Sequence, residues 1–304
     1  MKQIVNPEIL IGFAFAFLVS TWFNKKAIFP TNSDSRCFSC DSVGAGTIFC
    51  DDFETEAALA GRYFEYDSNG GDFTRVANLG RNGNAGMRVR WQKGEVSAGS
   101  LKKSFGRTPD EHIGTHAAYP AKDFKEIYWR IDIKRQEGWV GGGADKLSRA
   151  TVLTGPGWRQ GMIAHIWSHD NFLVLDPASG IDKTGRQTST RYNDFGNLRW
   201  LGNKKGTTDL FSEVNANKWY CIIAHAKLNT PGVSDGVFEF WIDDQLQAGS
   251  YDLNWHGNWN AAAENYMINA VFFENYWNDG SPQLQERYFD NILISSEPIQ
   301  CKCE

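Results

Sequence analysis

The stretch Tyr128-Trp129-Arg130-Ile131-Asp132-Ile133-Lys134 decides the fold class. Successive side chains of a strand point to opposite faces, so Trp129, Ile131 and Ile133 share one apolar face while Tyr128, Arg130, Asp132 and Lys134 share a polar one. A helix would scatter these residues around its axis, whereas a half-buried strand sorts them. Working outward, the same alternation returns in Val237-Phe238-Glu239-Phe240-Trp241-Ile242-Asp243-Asp244, where the two Asp residues supply a turn. Further strands are expected at 85–91, 161–167, 219–228, 268–275 and 288–295. No segment keeps helical periodicity over more than about ten residues, and no internal repeat is present. These features imply an all-β chain, a two-sheet antiparallel β-sandwich.

Composition agrees with a folded domain. The 304 residues are 41% hydrophobic and 22% charged, outside the range of disordered chains, and 30 Gly suit the many turns of a sandwich. The 12 Trp are expected mostly in the core, the remainder serving as flat plates for sugar rings. A net charge of -5 and a pI near 5.7 argue against a nucleic-acid partner, which would require a basic face.

Residues 1–26 read as a signal peptide or N-terminal membrane anchor. Lys2 precedes an apolar stretch from Ile9 to Phe23, and Lys25 and Lys26 follow it. That stretch is shorter than the roughly 20 residues of a membrane span and suits a signal-peptide core. The lack of a small-x-small cleavage site, with Trp22 and Phe23 inside the stretch, keeps an uncleaved anchor open, so any membrane contact is expected only through this segment. Residues 27–46, rich in Ser, Asn, Asp and Gly, read as a linker, and 47–304 as the sandwich domain. Secretion, or at least an extracytoplasmic location, is therefore expected, and the six cysteines fit it. Cys37, Cys40, Cys50, Cys221, Cys301 and Cys303 suggest disulfides, with fifteen pairings open. Cys37-x-x-Cys40 with Cys301-x-Cys303 also permits a four-thiolate zinc site if the chain ends meet. Residues 177–217 are polar, Gly-rich and weakly patterned, which is the character of a recognition loop on a rigid scaffold.

Two terminal segments, Phe49-Cys50-Asp51-Asp52-Phe53-Glu54 and Arg287-Tyr288-Phe289-Asp290-Asn291-Ile292-Leu293-Ile294-Ser295, resemble the first and last strands of concanavalin A-like jelly-roll domains. Between them, Trp219-Tyr220-Cys221, Lys227 to Gly232 and Asp235 to Asp243 are similar to the central strands of bacterial polysaccharide-lyase-like jelly rolls of the heparin-lyase-I-like and glucuronan-lyase-like kinds. The likeness covers roughly residues 47–300. It implies cleavage of an anionic, uronate-containing polysaccharide by β-elimination. The same fold also serves non-catalytic, lectin-like glycan binding, and that alternative stands beside it.

β-Elimination needs a cation or amide to neutralise the uronate carboxylate, a base for the C5 proton and an acid for the leaving oxygen. His165, in Met162-Ile163-Ala164-His165-Ile166-Trp167, is the candidate base, and Tyr276 the candidate acid. Arg130, Lys146 and Arg149 are candidate neutralisers. Asn275, Trp277, His225 and Lys134 are candidate substrate contacts. Competing structural readings accompany several of these: His165 shares strand parity with Ile163 and Trp167 and so reads equally as a core or edge histidine, Tyr276 reads equally as structural, and Arg130 has a rival reading as the same-face ion-pair partner of Asp132. No cofactor is required by this chemistry. The resemblance does allow a structural calcium, with Asp52, Glu54 and Asp290 as oxygen donors. A retaining glycosidase is disfavoured, because the Glu-x-Asp-x-x-Glu arrangement is absent and Glu239 and Asp243 stand four residues apart. No Gly-x-Ser-x-Gly nucleophile motif occurs.

Overall fold

Alternating strands must hide their apolar faces, and in the computed structural model they do so as two stacked antiparallel sheets. The structure describes residues 38–81, 85–257 and 266–301. The expected export segment 1–26, most of the expected linker, Cys37 and Cys303 lie outside the described residues.

The described strands are β1 (Thr47–Asp51), β2 (Glu65–Asp67), β3 (Phe73–Val76), β4 (Gly86–Trp91), β5 (Ser97–Ser104), β6 (Glu126–Arg135), β7 (Lys146–Gly155), β8 (Arg159–His169), β9 (Phe172–Ser179), β10 (Arg199–Trp200), β11 (Lys204–Lys205), β12 (Tyr220–Lys227), β13 (Gly236–Ile242), β14 (Gln245–Leu253), β15 (Ala270–Tyr276) and β16 (Gln285–Ser295). A back sheet runs β14-β13-β12-β6-β16-β4-β3, with β1 on β16. A front sheet runs β10-β9-β8-β7-β15-β5-β2, with β11 on β9. The first and last strands pair, Cys50 facing Leu293.

Trp129, Ile131 and Ile133 of β6 enter the core with Ile222 and Ala224 of β12 and Phe238 and Phe240 of β13. Opposing them from the front sheet are Leu101, Ala150, Val152, Met162, Ala164, Ile166, Val271 and Phe273. Each large apolar side chain among these contributes about 1.5–3 kcal/mol by leaving water. Cys40–Cys50 ties residues ahead of β1 to that strand. Cys221–Cys301 ties β12 to the segment after β16. Both Cys40 and Cys301 are thus committed to bridges and do not serve a four-thiolate zinc site.

Two irregularities shape the outward face of the front sheet. The register between β7 and β8 shifts between Lys146 and Ser148, and that between β15 and β5 shifts between Glu274 and Tyr276. An extra residue re-aims side chains. Lys146 and Arg149, three apart, consequently face the same side of the sheet. On β5, Gly99 adopts φ +95°, and a Cβ added there would fall 2.4 Å from the Asp67 carbonyl oxygen, so only glycine fits.

Candidate active site

The face of the front sheet turned away from the core floors a cleft of about 600 Å³. The cross-strand register builds its floor as rows. One row runs Asp176, His165, Arg149, Phe272, Lys102 and Glu65 across β9, β8, β7, β15, β5 and β2. A neighbouring row holds Val174 and Trp167 facing Lys146, and Glu274 facing Ser100 and Asp67. The loop between β9 and β10 brings Tyr192, Asn193 and Phe195 to the rim, Trp200 follows on β10, and Tyr276 and Asn278 complete the wall.

His165 is buried. Burial, reinforced by the positive charges of Arg149 and Lys146, holds its imidazolium pKa well below the usual histidine value. The ring is therefore neutral near pH 7, and its Nε2 has no hydrogen-bond partner among the described residues. Arg149 is fully buried and spends its guanidinium on the cleft itself. It donates to Glu274 Oε1 at 2.8 Å, to Tyr192 Oη at 2.5 Å and to Asn193 Oδ1 at 2.9 Å. Asn193 holds this position with φ 52°, in the left-handed region that asparagine adopts more readily than most residues. Burial pushes the Tyr192 hydroxyl up to about 12, so it stays protonated.

Lys146 differs from Arg149. Its ammonium has no carboxylate within ion-pair distance among the described residues and lies 4.3 Å from the Tyr276 ring centroid and 5.7 Å from that of Phe195. Burial lowers its pKa, with Glu274 and Asp145 opposing that shift. Lys102 is paired with Glu65 and caged by the rings of Trp158, Tyr192 and Phe272. Asp176 carries no such partner, and burial pushes its carboxyl up to about 6.

Beneath the floor sits Arg287, which crosses the core from β16 of the back sheet. It is fully buried between Trp91 and Phe289. Its guanidinium donates to the carbonyls of Gly143, Lys146 and Glu274 and to Asn275 Oδ1. Both irregular strands are thereby held from below at the residues they aim into the cleft. Burial lowers this guanidinium to about 9, which leaves it protonated at neutral pH.

Of the residues singled out from sequence, His165, Lys146, Tyr276 and Asn275 line one cleft, with Arg149 in its floor. Asn275 borders it with its side-chain polar atoms engaged beneath the floor, Oδ1 accepting from Arg287 at 2.8 Å and Nδ2 donating to the Gly99 carbonyl at 3.0 Å. Four other candidates do not join them. Arg130 lies on the back sheet, buried, with two donors on Asp132 at 3.0 and 2.9 Å, which is the ion-pair reading of that segment. His225 is also on the back sheet, between Glu239 and Glu126 at 2.8 and 2.9 Å. Lys134, on β6, lies over the Trp219 and Tyr288 rings. Trp277 is buried in the core, stacked on Trp139 at 5.5 Å. The suggested calcium donors do not form a cage. Asp52 accepts from the Cys40 and Glu54 amides, and Asp290 from those of Arg81 and Asn291. No group of three or more His, Cys, Asp or Glu fit to hold a metal occurs among the described residues.

Glu274, Lys102, Asp176, Tyr192, Asn193 and Arg287 are cleft components that the sequence pattern does not single out. The expectation of a recognition loop within 177–217 is the nearest signal, since Tyr192, Asn193, Phe195 and Trp200 come from it.

No family model and no curated protein matches the chain. Solved structures do match. An endo-β-1,4-glucuronan lyase from the fungus Trichoderma reesei is similar with a TM-score of 0.55 at 12% identity, over 83% of this chain and 96% of that one. Alginate lyase vAL-1 from a Chlorella virus gives 0.55 at 12% identity, over 82% and 99%. The PL-14 alginate lyase from Aplysia kurodai gives 0.53 at 14% identity, over 82% and 99%. At such identities the likeness speaks to architecture. The chain has the two-sheet, polysaccharide-lyase-like jelly-roll fold.

Proposed function

We propose that this protein is an exported polysaccharide lyase that cleaves a uronate-containing glycan by β-elimination. The observation that carries the reading is the uncommitted Lys146 ammonium resting on the Tyr276 ring in the same cleft as a neutral, partly unsatisfied His165. Lys146 neutralises the uronate carboxylate and so acidifies the C5 proton. A neutral ring nitrogen of His165 takes that proton. The electron pair left at C5 forms the C4=C5 double bond as the C4–O bond breaks, and the Tyr276 hydroxyl protonates the departing oxygen. No water is consumed. Arg149 tunes His165 and anchors Glu274, Tyr192 and Asn193 around the reacting ring. The exposed rings of Phe195, Trp200 and Tyr276 give the sugar chain flat apolar surfaces. The fold shared with glucuronan and alginate lyases supports the substrate class. Two disulfides support an oxidising, extracytoplasmic location.

The test is the ultraviolet absorbance of the unsaturated product on incubation with alginate, glucuronan, heparin and pectate. Product is expected from wild type, with Tyr276→Phe at least about a hundredfold slower. A second reading, a glycan-binding module, is favoured by the same exposed rings. Retained glycan binding with no unsaturated product from any uronate polymer would replace the lyase reading with that one.

A further inference from the structure

The charges of the cleft do not match a polymer with a carboxylate on every ring. Its described floor and walls carry four acids, Glu65, Asp67, Asp176 and Glu274, against three cations, Lys102, Lys146 and Arg149. Two cations are spent: Lys102 on Glu65, and Arg149 on Glu274. Lys146 alone among the described cleft residues is a cation without an acid partner.

The two acids without a cation partner stand on either side of it. Asp176 is on β9, directly opposite His165 and two strands from β7. Asp67 is on β2, three strands from β7 in the other direction. Strands lie about 4.8 Å apart, a spacing comparable with the rise of one pyranose along an extended glycan. At about one ring per strand, a sugar chain crossing the strands with one uronate over Lys146 brings the second ring on one side over β9 and Asp176, and the third ring on the other side over β2 and Asp67. A carboxylate on either of those two rings would meet a like charge in a partly desolvated groove, and specificity is readily built from such repulsion.

We infer that the cleft selects a uronate with uncharged sugars two rings away on the Asp176 side and three rings away on the Asp67 side, and so discriminates against homopolymers of uronate. This rests on the lyase reading above and concerns the substrate of the same site. Those neutral rings then hydrogen-bond to Asp67 and Asp176 through their hydroxyls, and the chain stacks on Phe195 and Trp200.

The test changes charge density at fixed linkage. Alginate and glucuronan are compared with the same polymers after about half of their carboxyl groups have been reduced to primary alcohols. Expected is a rise in kcat/KM per remaining uronate of on the order of tenfold on reduction. Much of that gain should disappear in an Asp67→Asn/Asp176→Asn double variant, which no longer repels the parent polymers. A kcat/KM per uronate that is unchanged or lower after reduction overturns the inference while leaving the lyase reading in place. So does a double variant whose preference is unaltered. If neither parent nor reduced polymer gives unsaturated product, the lyase reading itself fails. Charge selection is then read from calorimetric binding to the same polymers, with tighter binding after reduction sustaining it and equal, weaker or no binding overturning it.

Discussion

The two outward faces of the sandwich carry nearly the same chemical vocabulary and use it in opposite ways. On the back sheet, His225 has both ring nitrogens on carboxylates and stacks on Tyr128 at 4.2 Å. Asp132 there accepts from Arg130, Arg81 and Asn291, so its buried charge is fully answered. On the front sheet, His165 Nε2, Glu274 Oε2 and Trp167 Nε1 are buried without hydrogen-bond partners among the described residues, and the Lys146 ammonium rests on the Tyr276 and Phe195 rings with no carboxylate of those residues at ion-pair distance. Leaving a buried polar group unsatisfied costs about 1–3 kcal/mol. A fold tolerates that cost where the missing partner arrives with a ligand. Histidine and cations alone do not mark a site; unspent hydrogen-bonding capacity beside a cleft does.

The largest effect should come from setting the two histidines against each other. His165→Asn is expected to lower kcat by about 10³-fold or more, and Lys146→Ala by a similar factor, both with the fold retained by circular dichroism. His225→Asn should leave kcat within about twofold, because it faces away from the cleft. Equal losses at His165 and His225 would mean that the contrast between the faces has no catalytic content.

Changing the back face at a fully buried charge inverts the readout. Asp132→Asn removes the charge that Arg130 and Arg81 share, and breaking a buried pair of this kind costs about 3 kcal/mol. Thermal unfolding should move down by several degrees while kcat stays near wild type. A variant that unfolds normally but turns over poorly would tie the Arg130 network to the reaction, as its sequence pattern alone allows.

The same contrast explains how much of the molecule is legible in its sequence. Period-two alternation is strong where one face is core and the other solvent, as in β6 and β13, and those strands can be read directly. In β7, Leu147 to Leu153 is apolar or roofed on both faces, Leu153 packing with Phe272 and Ile113, so the alternation is faint and the strand escapes a pattern reading. Parity assigns a side chain to a face and never to a sheet. Arg130 and His165 therefore look like neighbours in sequence although they belong to opposite layers. Parity is ambiguous at His165 because Ile163 and Trp167 look like core, whereas the core of β8 is Met162, Ala164 and Ile166, and Ile163 is covered instead by Leu198. Lys146 beside Arg149 depends on a bulge, and Arg287 on a crossing of the core; neither leaves a local trace in sequence.

The smallest effect is a shift in pH dependence, and it probes why the front face tolerates a buried histidine. As a base, His165 works only in its neutral form. Burial and the charges of Arg149 and Lys146 all disfavour protonation, so its pKa lies well below the usual value of 6.5. The acid limb of kcat/KM should accordingly appear well below that pH, with activity persisting where an ordinary histidine would be mostly protonated. Arg149→Gln removes one of the two positive neighbours while leaving Lys146 in place. The limb should then move toward higher pH by roughly half a unit to one unit, alongside any loss of rate from released Glu274 and Tyr192. A loss of rate with an unmoved limb would make Arg149 a purely structural tie. A limb at or above the ordinary histidine value in wild type would remove His165 from the role of base, because the same burial that leaves its nitrogen unpartnered must also hold its proton affinity down.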